Sequence, residues 1–220
     1  MQTWRLSNGM KVIYYHKPSD SVSVQVLVNV GSDTEEPKLR GISHFIEHMV
    51  FEGTMKRPTP HSVANEIERV GGEVNAYTTN GRTCFYAKVL GRHFDLALDV
   101  VSDILQNPLF RPEDVERQKS ILFKEIDLVT DEPRFHQWIL FQQTMFKKHP
   151  SRYPTYGSRE TVQRTTARDI ASYFHEHYFP RNMVLVIVGN VKNVRAKVQK
   201  AFTLTHNCVP KKISFSEDAP

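Results

Sequence analysis

A chain of 220 residues suffices for one large domain or two small ones with a substantial core. Hydrophobic residues at 40% and charged residues at 24% make an ordinary globular composition, which excludes intrinsic disorder and fibrous repeats. The net charge of +5 comes from scattered bases, which reads as solvation and not as a phosphate-binding face, so no nucleic-acid partner is expected.

No charged-then-apolar leader opens the chain, and Met1–Leu6 runs directly into patterned sequence, so no secretory signal is expected. Trp4–Leu6 and Met10–Tyr15 read as a hairpin turning on Asn8-Gly9, because both turn residues tolerate positive φ. Val22, Val24, Val26, Val28 and Val30 then alternate with period two, a half-buried strand. From Gly41 the period becomes helical through Ile42, Phe45, His48 and Met49. A second helix starts at Thr59-Pro60, with Thr as N-cap and Pro at the first helical position, and stops at Gly71-Gly72. Glu73–Thr79 against Thr83–Val89 forms a second hairpin on Asn80-Gly81. Phe94, Ala97, Leu98, Val101, Ile104 and Leu105 share one face of a helix ending before Pro108. Pro112 opens a longer helix with Val115, Ile121, Leu122 and Glu125, which Pro133 breaks or restarts. Thr166–Asp169 resembles a capping box ahead of Ile170–Tyr178. Met183–Val188 is a β-branched strand and the longest uninterrupted apolar run, far below the ~18 residues of a membrane span, so no membrane partner is expected. Val194, Val198 and Phe202 suggest a last short helix.

This order, β-β-β-α-α-β-β-α-α-α-β-α, uses hairpins in place of βαβ crossovers. It predicts an α+β fold, a largely antiparallel sheet with helices packed on one face. One domain is expected over residues 1–206, with 207–220 a linker or frayed tail. Two cysteines, Cys84 and Cys208, cannot build a disulfide scaffold, and a cytoplasmic location is expected.

The chemistry-bearing segment is His44-Phe45-Ile46-Glu47-His48. On a helix, positions i and i+4 lie one turn apart on one face, so both imidazoles reach a single ion. A catalytic zinc keeps three protein ligands and an open position, and Glu47 is close enough to serve as general base on a water there. This is His-Glu-x-x-His written backwards, the inverzincin pattern. Two histidines on an otherwise apolar helix would also leave buried donors unpaired unless something coordinates them. Spacing alone does not choose the third ligand among Glu52, Glu73, Glu113, Glu116, Glu125 and Cys84. The other eight histidines read as surface or structural groups.

The run His44–Thr54 resembles the zinc helix of the pitrilysin/insulinase family of metallopeptidases. So do Leu6-Ser7-Asn8-Gly9, Gly71–Thr78 and Tyr178–Gly189, in the family's order and over nearly the whole chain. The resemblance implies the metallohydrolase fold of the mitochondrial processing peptidase and a zinc endopeptidase with one zinc per chain. It implies His44, His48 and Glu125 as ligands, Glu125 following His48 after 76 intervening residues, and Glu47 as catalytic base. It further implies that a peptide substrate adds as a strand along Asn75 and Ala76. Many members carry another Glu seven residues before the ligand, where this chain has Gln118; an amide hydrogen-bonds but takes no proton. Family peptidases close two homologous halves around the substrate, so a homodimer or a homologous second-half subunit is the expected partner. Two alternative readings follow from related proteins: a non-catalytic, chamber-forming half, or an enzyme like S-ribosylhomocysteine lyase with a cysteine ligand.

Overall fold

The computed structural model describes residues 1–209; residues 210–220, most of the segment read as a tail, lie outside the described residues. The first hairpin pairs β1 (Gln2–Arg5) with β2 (Lys11–His16), and its turn is held by Leu6 N–H on Met10 O and Gly9 N–H on Leu6 O, both at 2.9 Å. Next come β3 (Ser21–Val28), α1 (Ile42–Met49) and α2 (Pro60–Glu68). The second hairpin, β4 (Glu73–Thr78) with β5 (Thr83–Leu90), precedes α3 (Phe94–Gln106), α4 (Pro112–Asp131) and α5 (Pro133–Met145). The chain finishes through α6 (Arg159–Arg164), α7 (Ala167–His177), β6 (Met183–Gly189) and α8 (Val194–Ala201).

The six strands form one sheet in the order β1-β2-β6-β3-β5-β4. Every neighbouring pair is antiparallel except β2 with β6, which is parallel. The hairpin reading therefore holds for β1–β2 and β4–β5, but β6 wedges between β2 and β3 and makes the sheet mixed. Its unbroken apolar run suits an interior strand, and no local pattern announces which strands will flank it.

Register aligns one row of side chains across the sheet: Trp4, Val12, Leu185, Val26, Phe85 and Ala76. Val12, Val26, Phe85 and Leu185 are fully buried beneath the helices, whereas Lys11, Gln25 and Lys88 point to the less covered face. Strand alternation thus puts one hydrophobic face against the helical layer, where α1 packs on β4 and β5 and against α4 and α7.

Of the two alternatives at Pro133, the chain restarts the helix as α5, with the Glu132 side chain accepting from Arg134 N–H. The short α6 was not anticipated; Ser158 and Thr161 cap its first turn reciprocally. The expected caps on α2 and α7 are present, with Asp169 serving in the α7 box.

Candidate metal centre

The α1 sequence buries Ile42, Ser43, Phe45, Ile46 and Met49, which turns His44, Glu47 and His48 toward the opposite side. Its N-terminus is fixed from outside the helix. Gly41 stands in the left-handed region at φ 92°, and a Cβ there would lie 2.5 Å from Tyr156 O, so only glycine fits. The Glu35 carboxylate accepts hydrogen bonds from Gly41 N–H at 2.7 Å and Ser43 N–H at 2.8 Å, satisfying two otherwise orphaned donors. Burial raises its pKa to about 7, opposed by those same hydrogen bonds.

Glu125 reaches the pair from α4. Its Oε2 lies 3.5 Å from His48 Nε2 and 3.8 Å from His44 Nε2, and one donor atom from each of the three residues lies within 4.8 Å of the others. Among the described residues no other trio of His, Cys, Asp or Glu does this. Zinc bonds of about 2.0–2.2 Å place the corners of a tetrahedron roughly 3.3–3.6 Å apart, which these separations approach. Burial, then the neighbouring His48, drives the His44 pKa down to about 3, so its imidazole is neutral with a lone pair to give. Its Nδ1 is buried with no hydrogen-bond partner. Two imidazoles and a carboxylate are the donor set of an open catalytic zinc site, and the residues fit that ion.

Glu47 stands beside this trio on α1, and Thr78 Oγ1 at the end of β4 donates to its Oε2 at 2.5 Å. Burial raises the Glu47 pKa, against the hydrogen bond from Thr78 and the proximity of His48. A carboxyl displaced toward neutrality is suited to taking and returning a proton. His48 Nδ1, the ring nitrogen not facing Glu125, lies 3.3 Å from Gln118 Oε1.

The remaining ligand candidates are engaged elsewhere. Glu52 pairs with Arg117 and Gln118, Glu73 accepts from Tyr86, Glu116 pairs with Lys119, and Glu113 is exposed. Cys84 is buried in β5. Asn75 and Ala76 lie on β4, the outer strand of the sheet, one turn of the pleat from Thr78. Asn75 is exposed, and its Oδ1 accepts from Ala76 N–H at 2.8 Å.

Sequence reading missed Thr78 and Glu35 as supports of the site. Neither carries a local signal, since each contacts α1 from a separate segment of chain.

Comparison with known proteins agrees with this geometry. The sequence profile described as Insulinase (Peptidase family M16) matches residues 11–159, and that of the Peptidase M16 inactive domain matches residues 164–205. YmxG of Bacillus subtilis, named an uncharacterized zinc protease, is 32% identical over 204 residues, covering 92% of this chain and 50% of that protein. A protease from Helicobacter pylori has a crystal structure that superposes at a TM-score of 0.90, with 24% identity, over 97% of this chain and 52% of that one. The first half of the periplasmic protease PqqL from Escherichia coli gives 0.90 at 22% identity, over 100% and 49%. At those identities the two structures speak for the fold alone. The chain spans about half the length of the curated relatives it matches. It belongs to peptidase family M16, the insulinase family.

Proposed function

We propose that this chain is the metal-bearing domain of a zinc endopeptidase acting on peptides or small unfolded polypeptides. The observation that carries the reading is the convergence of His44, His48 and Glu125 from two helices, with Glu47 beside the histidines on α1. His44 and His48 offer ring nitrogens, Glu125 offers a carboxylate, and one zinc ion per chain fits among them. Zinc bound there supplies Lewis acidity, which brings the proton of water within reach of a carboxylate base. Glu47 takes that proton and later returns it to the leaving amine, with Thr78 holding its Oε2 in place.

The edge position of β4 supports binding of an extended peptide by strand addition along Asn75 and Ala76. Backbone pairing is largely indifferent to side chains, consistent with a broad peptide substrate. The added strand takes over the Ala76 N–H now held by Asn75 Oδ1. The His44 and His48 side chains are 19% and 20% exposed and Glu125 is 39% exposed, so substrate enters from an open face. Closing that face falls to a second, homologous half, supplied by the remainder of a longer chain, a second copy or a partner subunit. The two free thiols are consistent with a reducing, cytoplasmic setting, and no helix among the described residues is long and apolar enough to cross a membrane.

Glu47→Gln tests the assignment of roles. The variant is expected to retain about one zinc per chain, while hydrolysis of a fluorogenic peptide by the closed assembly falls by ~10²–10⁴. Hydrolysis at the wild-type rate would show that Glu47 is not the base.

A further inference from the structure

The two histidines of the site are held unequally. His44 Nδ1 has no partner, whereas His48 Nδ1 faces the amide oxygen of Gln118, a buried side chain on α4 two turns before Glu125. Behind that amide lies a continuous polar chain. Gln118 Nε2 donates to Glu52 Oε1, the other Glu52 oxygen accepts from Arg117, and Arg117 also donates to Asp114 at 2.6 Å. Arg111 donates to the second oxygen of Asp114 at 2.6 Å, and to Glu52 O and Pro58 O. Glu52 is itself buried, three residues beyond the end of α1.

Hydrogen-bond polarity runs one way along this chain. A carboxylate only accepts, so the Glu52 side of the amide must be its NH2, which leaves the amide oxygen toward His48. That oxygen only accepts, so His48 must carry its proton on Nδ1 and present the bare lone pair of Nε2 to Glu125 and His44. Rotating the amide by half a turn sets donor against donor at His48 and acceptor against acceptor at Glu52.

We propose that Gln118 and Glu52 are a positioning pair that selects the Nδ1–H tautomer of His48 and so sets its affinity for metal. The buried carboxylate is kept one amide away from the ligand. This rests on the zinc-site reading and adds to it that the metal is held by two inequivalent imidazoles, one oriented through its far nitrogen and one not. Neither residue is catalytic. Groups that hydrogen-bond the far nitrogen of a ligating histidine typically carry 10–100-fold in metal affinity.

The experiment titrates the full chain with Zn²⁺ against a chelator of known affinity and records the imidazole N–H resonances of the zinc-loaded, ¹⁵N-labelled protein. Gln118→Ala is expected to weaken zinc binding by about 10–100-fold. It should also lose the slowly exchanging Nδ1–H signal of His48, with the far-ultraviolet spectrum unchanged. Gln118→Glu sets two carboxylates face to face, and Glu52→Gln sets an amide NH2 against Arg117, so each is expected to bind zinc more weakly. The exchanged pair, Glu52→Gln with Gln118→Glu, restores every donor to an acceptor: His48 and the new amide both donate to the new carboxylate, and Arg117 donates to the amide oxygen. It is expected to recover zinc affinity and the Nδ1–H signal, which mere loss of packing would not allow. Two results would overturn the proposal: wild-type affinity with an unchanged Nδ1–H signal in Gln118→Ala, or an exchanged pair no better than the worse single variant. If Gln118→Ala does not fold, the two single exchanges and their combination decide alone. Failure of the wild-type chain to bind zinc, or binding unaffected by His44→Ala, would instead remove the zinc-site reading itself.

Discussion

Glu35 is a buried carboxylate placed at the N-terminus of the helix that carries His44, Glu47 and His48, and it ties stability to pH in a direction opposite to that of most carboxylates. Its pKa moves from 4.5 to about 7, with burial the dominant cause. A displacement of this size corresponds to about 3 kcal/mol. Because the folded pKa is the higher one, the folded state binds the proton more tightly than the unfolded chain. This contribution is fully present below pH 4.5 and is lost as pH rises through about 7. His44 acts with the opposite sign: its folded pKa of about 3 lies below the ordinary 6.5, so its contribution is lost as pH falls through that interval. The two slopes offset each other across the shared range near pH 5–6. Glu35→Gln removes one of them. The neutral amide keeps one acceptor for the pair Gly41 N–H and Ser43 N–H and leaves the other donor short, a pH-independent cost of about 1–3 kcal/mol. Urea unfolding of both proteins in excess chelator, from pH 4.5 to 8, separates the terms. The variant is expected to be the less stable at pH 4.5, and its stability relative to wild type to rise by about 3 kcal/mol by pH 8. A constant offset across the range would refute the reasoning, since it would mean that Glu35 does not exchange a proton differently in the two states.

Arg57 is 5% exposed and donates to Asp103 at 2.7 Å and to Glu66 and Asp99 at 2.8 Å, so it fixes the loop after α1 to α2 and α3. Arg57→Met leaves the 2%-exposed Asp103 without its cationic partner, although Thr54 and Asn107 still donate to it, and is expected to cost about 3–5 kcal/mol, read as a fall in Tm of roughly 6–20 °C; a fall under ~3 °C would show the network to be dispensable. Glu125→Ala is expected to lower zinc affinity markedly in a chelator competition, while Glu116→Ala and Cys84→Ser leave it near wild type; the reverse pattern would favour a cysteine-ligated site.

The elements legible in the sequence were those whose signal is local. Asn8-Gly9 and Asn80-Gly81 marked both hairpins, alternating valines marked β3, and Thr59-Pro60 marked the start of α2. Strand order was not legible, because the insertion of β6 between β2 and β3 is decided by packing between segments some 160 residues apart in sequence. The site divides in the same way. His44, Glu47 and His48 lie within one helical turn and follow from spacing. Glu125 needed a resemblance, and the structure brings it to the pair through the packing of α4 on α1. Thr78 and Glu35 are ordinary residues in sequence, and their roles exist only once β4 and the segment before α1 meet the helix.

The supports of the site come from distinct parts of the fold. Glu35 holds the start of α1, Thr78 holds Glu47 from the edge strand, and Gln118 holds His48 from α4, so each acting group is braced without any residue from outside the chain. In the proposed reading, metal binding and orientation of the base are therefore complete within these residues, and exclusion of water is not. Glu125 remains 39% exposed, and among the described residues β4 has a neighbouring strand on one side only. Stabilising charge that develops during peptide hydrolysis depends on preorganised donors in a site shielded from solvent, and in the proposed reading those facing the trio from the open side are supplied by the second half. Relatives of twice this length have the chain to provide one. The proposed function then divides the labour between this domain, whose residues would fix the metal and the base, and a covering domain that would shield the reaction and grip the substrate.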